Sequence, residues 1–485
     1  MMFHSAQYLA LVIVSWALFW LVSPPLTRAE QSPRRLSRRK WLRLLVLGGA
    51  SFTFYAAWSL WPMVLFSAYA LVNFLAGQAL ERTERPAARR AIMITAVSLH
   101  LTGLFTFKYL DFALRAYGSL AQWLHLGPAP KPVGLVLPVG LSFVAFQAIS
   151  YVVDVYRKQT SGRYSYPQHW VFKHFFPQVV AGPIIRSRDL MEHLAEEPKV
   201  TPEESLVGVF RIAQGIAKKL ALADVLSAAL VDPVFANPRG YSALECLVAA
   251  VAYTFQIYFD FSAYSDIAIG TAALYGFKFP ENFNKPYHAR NLFEFWNRWH
   301  VSLSTWLRDY LYRPMGGSRG SKGRTLFNLM VVMTLGGLWH GADWRFLVWG
   351  TLHGVFLVVL RTWWWIRGKP TYEKWWQVAW GTAIAFTVVV LTRVFFRADS
   401  VSSALVYFRQ MGTLTFDLAR VSWLAWGALA ASIALYVMPR PVFELAKVTF
   451  VRIPAPVRAL ALIAFGLLLR RIASFETQPY IYFQF

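Results

Sequence analysis

Uncharged apolar stretches recur along the chain and predict a bundle of membrane-spanning helices. The first stretch, 1–27, has no Lys, Arg, Asp or Glu. It also lacks the basic leader and small-residue cleavage site of a secretory signal, so we expect a retained first helix. Further uncharged stretches run over 91–107, 132–153, 325–342, 346–360, 375–392 and 421–439, and less uniform apolar segments cover about 205–230, 243–275 and 455–475.

The stretch 44–80 is too long for one span. It has 37 residues without a charge, which at about 1.5 Å per residue would reach about 55 Å, against a bilayer core of about 30 Å. Proline removes an amide donor and restricts the residue before it, which favours a break at Trp61-Pro62. The stretch therefore predicts two helices that fold back on each other.

Composition and charge support a polytopic membrane protein. The 485 residues are 56% hydrophobic and only 15% charged, against about 25% charged in an ordinary soluble protein. The formal charge is +24. Much of the excess lies in short loops between apolar stretches, at Arg28, Arg34, Arg35, Arg38, Arg39, Lys40 and Arg43, and at Arg82, Arg85, Arg89 and Arg90. The positive-inside rule predicts that these loops are cytoplasmic and that the N-terminus lies outside, and we favour this over nucleic-acid binding.

The single cysteine, Cys246, excludes an intrachain disulfide and a Cys-rich zinc site. The ten histidines are scattered and form no HxxH or HxxxH pair. Since a metal needs several closely placed ligands, we expect no metal site of local sequence.

Three segments bring polar residues into apolar sequence, where they are costly and indicate function. The first, 172–186, has an apolar core of about ten residues with two prolines, which is too short to span a bilayer. We expect it to be re-entrant or interfacial. A purely structural role and a substrate contact both stay open.

The second segment, 253–270, reads YTFQIYFDFSAYSDIAIG. Asp260, Ser262, Tyr264 and Asp266 cannot share one helix face, so some must face a polar cavity or a neighbouring helix. The two aspartates could carry protons, but we favour pairing with Lys or Arg of the next segment.

The third segment, 279–324, is rich in charges and aromatic residues. Asn291 is a helix cap candidate, and Glu294 and Arg298 have the i, i+4 spacing of an ion pair. We expect one amphipathic helix at the cytoplasmic interface whose face carries Phe295, Trp299, Ser302 and Trp306. Its glycine-rich end, 316–322, does not have P-loop spacing and is interpreted as a flexible cytoplasmic loop.

Three histidines lie in apolar surroundings. His340 ends the run LGGLWHGA, whose glycines permit close approach of a backbone or a thin ligand. A neutral imidazole is well suited to take a proton from a hydroxyl near pH 7, although a buried histidine can also serve only packing. His300, with Ser304 one turn later, and His353 are further candidates under the same alternative.

Several blocks of this sequence resemble the membrane-bound O-acyltransferase (MBOAT) family. They are LPVGLSFVAFQAISYVVDVYR (137–157), FFPQVVAGPIIR (175–186), YTFQIYFDFSAYSDIAIG (253–270), ENFNKPY (281–287), FWNRWHVSLSTWLRDYLY (295–312), GGLWHGADW (336–344) and YIYFQF (480–485). The resemblance implies an all-α polytopic fold: a ring of about 11 or more transmembrane helices around a thin centre with a through-tunnel, plus re-entrant and interfacial helices. It implies a single domain over 1–485 with a catalytic core of about 137–400.

The same resemblance implies the site. His340 matches the family's invariant histidine and His300 its second polar catalytic position, while Ala263 and Asn297 depart from common family residues. We expect His340 to act as general base and His300 to position the thioester or the intermediate. Supporting positions along the tunnel or substrate are Trp339, Gln256, Asp260, Ser262, Asp266, Asn282, Ser304, Arg308 and Asp309.

The resemblance also implies a donor and partners. The expected donor is acetyl-CoA, a substrate rather than a bound cofactor, with phosphates near Lys285, Arg313 and Lys322 and with no metal. The acetyl group would cross a bacterial inner membrane to a periplasmic SGNH-type acetyltransferase or another acetyl-accepting protein that modifies an alginate-type exopolysaccharide. The N-terminus would be periplasmic.

Other functions remain open at this point. Within the enzyme class these are O-acetylation of cellulose or peptidoglycan and D-alanyl transfer to teichoic acid. A transporter would also be polytopic with polar groups at depth, but the sequence shows no repeated halves. A non-catalytic scaffold is disfavoured because both histidine blocks are intact.

Overall fold

The computed structural model describes residues 2–23, 33–179, 182–472 and 478–481, and these form helices without any β-strand. The chain forms two compact units. One consists of Met1–Val209 and Ala268–Pro280, and the other of Phe210–Ile267 and Glu281–Phe485.

The first unit contains seven complete helices within its described residues. They are α1 (Ala6–Leu21), α2 (Pro33–Ala56), α3 (Trp61–Arg82), α4 (Pro86–Trp123, with a π-helical turn at Phe105–Tyr109), α5 (Leu141–Tyr156), α6 (Tyr166–His174) and α7 (Ser187–Ala195). The break between α2 and α3, with Pro62 in the first turn of α3, confirms the predicted interruption at Trp61-Pro62.

Helix α4 extends beyond the expected end of the 91–107 span. It continues to Trp123 because the polar side chains that interrupt the apolar pattern find partners. Lys108 Nζ donates to Ser142 Oγ at 3.1 Å, and the Asp111 carboxylate accepts from the amides of Val133 and Gly134 at 2.7 and 3.0 Å.

The segment 172–186 is not one continuous helix. Helix α6 ends at His174, and the following residues have irregular backbone, although Val180 and Ala181 lie outside the described residues. Most of the described side chains here are buried, including Lys173. The segment is therefore enclosed by protein, as irregular backbone at membrane depth requires.

Two helices continue from one unit into the other along the chain, α8 (Pro202–Ala217) and α9 (Ala243–Leu274). Between them lie π-helical Lys218–Ala223 and Ser227–Val231, the short helices Asp224–Leu226 and Asp232–Ala236, and the 3-10 turn Pro238–Gly240. The second unit then has α10 (Leu292–Trp296), α11 (Val301–Leu307), α12 (Lys322–His340), α13 (Trp344–Arg367), α14 (Trp375–Arg397), α15 (Val401–Met411), α16 (Trp423–Val437), α17 (Arg440–Arg452) and α18 (Ala455–Ile472).

The prediction of one amphipathic helix after Asn291 is wrong. The chain forms α10 and α11, separated by a turn that ends at His300 with φ +42°, in the left-handed region. A helix cannot run through a residue in that conformation. The cap itself is confirmed, because Asn291 Oδ1 accepts from the Glu294 amide at 2.9 Å, and the Glu294–Arg298 pair forms at 2.5 Å.

Five described helices are long and apolar enough to cross a membrane: α3, α4, α9, α13 and α14. A sixth span is possible if α16 and α17, bent by 91°, form one broken crossing. Helices α1 and α5 have 16 residues each, about 24 Å, which is short of the bilayer core. The chain is a multi-pass membrane protein, and the ring of about 11 spans with a tunnel stays a prediction.

Candidate active site

His340 is the last residue of α12 and is 4% exposed. Its ring lies 5.0 Å from that of Trp339, 5.3 Å from Trp349 and 5.1 Å from Phe396, measured between centroids. The next residue, Gly341, is extended and ends the helix. The imidazole is therefore held by aromatic rings at a helix end.

Gly337 of α12 and Gly350 of α13 allow the backbones of these two helices to approach closely, one turn before His340. A Cβ atom on Gly337 would lie 2.9 Å from Gly350 Cα, a distance that real Cβ atoms do not adopt. The close approach that the glycine-rich run predicted is thus made by the next helix. It fixes His340, one turn after Gly337, against Trp349 of α13.

His300 occupies a strained position just before α11. Its φ and ψ are +42° and +57°, and its side chain is fully buried. For a residue other than glycine this conformation costs roughly 1–2 kcal/mol, and such strain is typical of functional sites. The ring lies 4.6 Å from Phe261 and 5.8 Å from Trp339, so the Trp339 ring adjoins both histidines.

The two histidines also interact electrostatically. His300 lies outside the candidate spans, and burial, followed by charge on His340, lowers its pKa well below the usual range. Its imidazole is therefore neutral at pH 7. The structure brings together two residues that are 40 positions apart in sequence.

A small cavity connects His340 with the third histidine candidate. His353 Nε2 lies 3.0 Å from Thr392 Oγ1, which accounts for one of its nitrogens. The cavity has a volume of about 10 Å³ and is lined by Ile257, Phe295, Trp299, His340, Trp349, His353, Val389, Arg393 and Phe396. That volume is close to what one water molecule needs, about 10–15 Å³.

Arg393 is a member of this site that the sequence analysis missed. Its guanidinium lies 4.3 Å from the Trp299 ring centroid and donates to Tyr287 Oη at 2.5 Å and the Thr254 carbonyl at 3.1 Å. The sequence signal that could have identified it is the charge of Arg393 directly after the uncharged stretch 375–392.

Asn282 and Ser304 brace the segment that carries His300. The Ser304 hydroxyl donates to the Trp299 carbonyl at 3.1 Å. Asn282 Oδ1 accepts from both the amide and the hydroxyl of Ser302, and Asn282 Nδ2 donates to Ser265 at 3.3 Å. These contacts are those of positioning residues.

Asp260 and Asp266 are ion-paired, but with the preceding segment rather than the next one as expected. Lys219 Nζ lies 2.7 Å from Asp260, while Arg211 and Lys218 lie 3.0 and 2.6 Å from Asp266. The cations follow helical spacing along α8 and its π-helical extension, which packs beside α9. Pairing between helices depends on that packing and not on chain order.

The remaining supporting positions contact protein groups. Gln256 Nε2 donates to Ser227 Oγ at 2.8 Å, and Arg308 pairs with Asp309 at 2.9 Å. Ser262 is 4% exposed, and its hydroxyl has no hydrogen-bond partner among the described residues.

Each of the three expected donor-binding cations contacts a different group of the protein. Lys285 Nζ donates to the Met438 carbonyl at 2.7 Å, and Arg313 pairs with Asp309 at 2.9 Å. Lys322 lies 5.5 Å from the Trp365 ring centroid, beside a cavity that the sequence did not identify.

That cavity, called here the basic cavity, has a volume of about 680 Å³. It is lined by Arg290, Asn291, Phe293, Glu294, Asn297, Arg361, Trp364, Trp365, Lys369, Pro370, Thr371 and Tyr372. Arg361 Nε and Trp364 Nε1 have no hydrogen-bond partner among the described residues. Aromatic faces and unpaired donors together suit a planar, anionic ligand.

A further cavity of about 290 Å³, called here the polar cavity, lies at the other end of the α12–α13 hairpin. It is lined by Lys219, Asp224, Ser227, Asp232, Tyr253, Gln256, Asp260, Arg345, Arg397, Asp399, Gln478, Pro479 and Ile481. The basic cavity adjoins Lys322 and the end of α13, whereas Arg345 belongs to the first turn of α13. The 19 residues of α12 separate the two ends by about 28 Å.

The sequence is similar to a known protein family and to several named proteins. The model of the membrane-bound O-acyltransferase family matches residues 141–396. A probable alginate O-acetylase, AlgI, of Pseudomonas aeruginosa is 38% identical over 76% of this chain and 69% of its own length. A peptidoglycan O-acetyltransferase of Helicobacter pylori is 32% identical over 75% of this chain and 72% of its own. A teichoic acid D-alanyltransferase of Streptococcus thermophilus is 29% identical over 53% and 68%.

Proposed function

The chain belongs to the membrane-bound O-acyltransferase family, and from that premise we propose that it transfers acetyl groups from cytoplasmic acetyl-CoA to a hydroxyl acceptor on the periplasmic side of a bacterial inner membrane. One observation carries the proposal. His300 and His340, both buried, adjoin the ring of Trp339, and the hairpin that carries His340 has a basic cavity at one end and a polar cavity at the other.

The proposed chemistry is direct acyl transfer with His340 as general base. The acceptor oxygen attacks the thioester carbonyl carbon while its proton passes to the His340 imidazole. The carbon–sulfur bond then breaks, and the leaving thiolate takes that proton. A positioned base of this kind contributes about 10²–10⁴-fold to the rate.

His300 is suited to a supporting role. Because its imidazole is neutral, it can donate one hydrogen bond to the oxygen that becomes negative in the tetrahedral intermediate. Its strained backbone and the bracing by Asn282 and Ser302 hold it in place before substrate arrives. Preorganisation of this kind avoids reorganisation during the reaction.

The basic cavity is the proposed donor entrance. Arg361 and Lys369 lie over the rings of Phe293 and Trp364, at 4.9 and 5.6 Å from the centroids. Such an arrangement can stack an adenine and pair with phosphates, which are the recognition groups of coenzyme A. The charges at this end of the hairpin support a cytoplasmic location by the positive-inside rule.

That orientation makes the polar cavity the periplasmic one. The basic loops after residue 27 and around 82–90 support a periplasmic N-terminus by the same rule. The acetyl group would therefore meet its acceptor beyond His340, where an SGNH-type acetyltransferase or another acetyl-accepting protein could collect it.

We propose an alginate-type exopolysaccharide as the final product, since the probable alginate O-acetylases are the more similar relatives. Peptidoglycan O-acetylation and D-alanyl transfer are the activities named for other relatives, and cellulose O-acetylation is a further alternative.

Inside-out vesicles from cells that express the chain test the proposal. Labelled acetyl-CoA added outside should yield base-labile acetyl esters enclosed in the lumen. His340→Ala should abolish this yield. His288→Gln, a change at an exposed histidine of the 279–324 segment, should leave it unchanged. Label that stays outside, or an equal yield from His340→Ala vesicles, would contradict the proposal. Analysis of the extracted esters identifies the polymer.

A further inference from the structure

The polar cavity borders the pocket of His340. On α9, Gln256 lines the polar cavity and the next residue, Ile257, lines the His340 cavity. On α14, Phe396 lines the His340 cavity and the next residue, Arg397, lines the polar cavity. One residue of backbone on each helix therefore separates the two spaces.

Three buried polar atoms in this cavity have no hydrogen-bond partner among the described residues: Asp224 Oδ2, Tyr253 Oη and Gln256 Oε1. Their side chains are 6%, 1% and 6% exposed. Buried polar groups are almost always paired. These three atoms belong to two separate elements that surround one cavity. They indicate that the cavity binds a ligand with hydroxyl groups, or ordered water when that ligand is absent.

One wall of the cavity is the C-terminal segment Gln478–Ile481. The amide of Ile481 donates to Asp260 Oδ2 at 2.9 Å, and Lys219 Nζ contacts the Pro479 carbonyl at 3.5 Å. Lys219 also lies 4.6 Å from the Tyr480 ring centroid. The segment is thus attached to the ion pair between Lys219 and Asp260, and Asp260 belongs to the second polar segment of the sequence, 253–270.

The attachment is buried. Lys219 is 1% exposed, Asp260 is 2% exposed, and Lys219 lies 2.7 Å from both Asp260 and Asp224. Asp260 Oδ1 faces the lysine, which leaves Oδ2 for the Ile481 amide. A buried charge held on both sides has one available geometry, so the position of the tail is specified.

We propose that Gln478–Ile481 forms a fixed wall of the acceptor pocket, that Asp260 is the positioning residue that holds it, and that this wall keeps bulk water from the thioester until a hydroxyl acceptor enters. This role rests on the proposed function. Water that enters instead would attack the carbonyl carbon, lose its proton to His340 and release acetate and the free thiol.

Ile481→Pro tests the wall because it removes the amide that Asp260 binds, and Ile481→Val is the conservative variant that keeps this amide. Ser227→Cys in a Cys246→Ala background supplies one thiol in the cavity wall. We expect a membrane-impermeant maleimide to label it at least tenfold faster in the proline variant. Equal rates in both variants would overturn the proposal, whatever the activity.

Hydrolysis of acetyl-CoA by the purified protein without acceptor is the second readout. We expect it to be several-fold higher in Ile481→Pro than in Ile481→Val, and to vanish in all backgrounds with His340→Ala. A hydrolysis rate that falls in the proline variant would show that the tail assists the chemistry and would overturn the wall. Should Ile481→Pro fail to insert, Asp260→Asn should give an intermediate gain in labelling. A rate of acetyl-CoA hydrolysis that does not depend on His340 would instead count against the proposed function.

Discussion

Asn282 Oδ1 accepts two hydrogen bonds from Ser302, from its amide at 3.2 Å and from its hydroxyl at 2.9 Å. The Asn282 carbonyl also accepts from the Val301 amide at 2.9 Å. Together these bonds satisfy the first amides of α11, directly after His300. The ENFNKPY block thus fixes the strained histidine that lies 18 residues later in the sequence.

Asn282→Ala should therefore lower acetyl transfer by about 10- to 100-fold, since it removes the acceptor for two buried donors at about 1–3 kcal/mol each. Asn284→Ala is the matched control, because Asn284 is exposed and its side chain pairs with Arg440. Thiol release from acetyl-CoA measures both. Equal activity of the two variants, at equal insertion, would contradict the bracing role.

Burial of neutral His300 also predicts a pH dependence of stability. Its folded pKa is lowered, so below about pH 6.5 the unfolded chain binds a proton that the folded chain does not, and the free energy of unfolding falls as pH falls. This group contributes a slope of up to about 1.4 kcal/mol per pH unit. The variant that tests this is His300→Asn, because asparagine cannot titrate and tolerates left-handed backbone.

His300→Asn should therefore lose less thermal stability than wild type between pH 7.5 and pH 5.5. Thermal unfolding in detergent, followed at several pH values, measures this difference. A parallel loss in both proteins would show that His300 is protonated as easily in the folded as in the unfolded chain.

The basic cavity predicts which cations bind the donor. Arg361→Ala should raise the KM for acetyl-CoA about tenfold, because a charged hydrogen bond contributes about 1.5–3 kcal/mol. Arg367→Ala, at an exposed arginine of the same helix outside the cavity, should leave the KM unchanged. Steady-state kinetics at two salt concentrations measures the effect, which should shrink at high salt. A larger KM change from Arg367→Ala would move the donor site elsewhere.

The contact between α12 and α13 predicts that Gly337→Ala reduces activity at least tenfold. The added methyl group would meet backbone atoms of Phe346 and Gly350, so the helices must separate and His340 must move. Gly427→Ala, in α16, meets nothing within 4 Å and should retain full activity. Acetyl-CoA hydrolysis and thermal stability of both purified variants decide the point. A fully active Gly337→Ala protein would mean that the close contact does not position His340.

The apolar pattern located most helices of the fold, because the absence of charges over about 20 residues reflects the thickness of the bilayer. It located the turn before Trp61-Pro62 for the same reason. It failed at the end of α4, where Lys108 and Asp111 are tolerated because Ser142 and the 133–134 backbone pair with them. Such compensation is a property of the fold and has no local signal.

The site was less predictable from sequence than the helices. His340 could be selected from its glycine-rich surroundings, but the left-handed turn at His300 has no such signal, since only a few per cent of residues other than glycine adopt this conformation. The cations that bind Asp260 and Asp266 depend on which helix packs beside α9. The basic cavity joins residues of α10 with residues near the end of α13, which sequence spacing cannot relate.

The rate of acetyl-CoA hydrolysis by purified His340→Ala protein, with and without added imidazole, tests the role of His340 most directly. We expect a loss of at least 100-fold relative to wild type, as removal of a general base implies. Added imidazole should restore part of the rate by occupying the space left by the side chain. A His340→Ala protein that hydrolyses acetyl-CoA at nearly the wild-type rate would contradict the account.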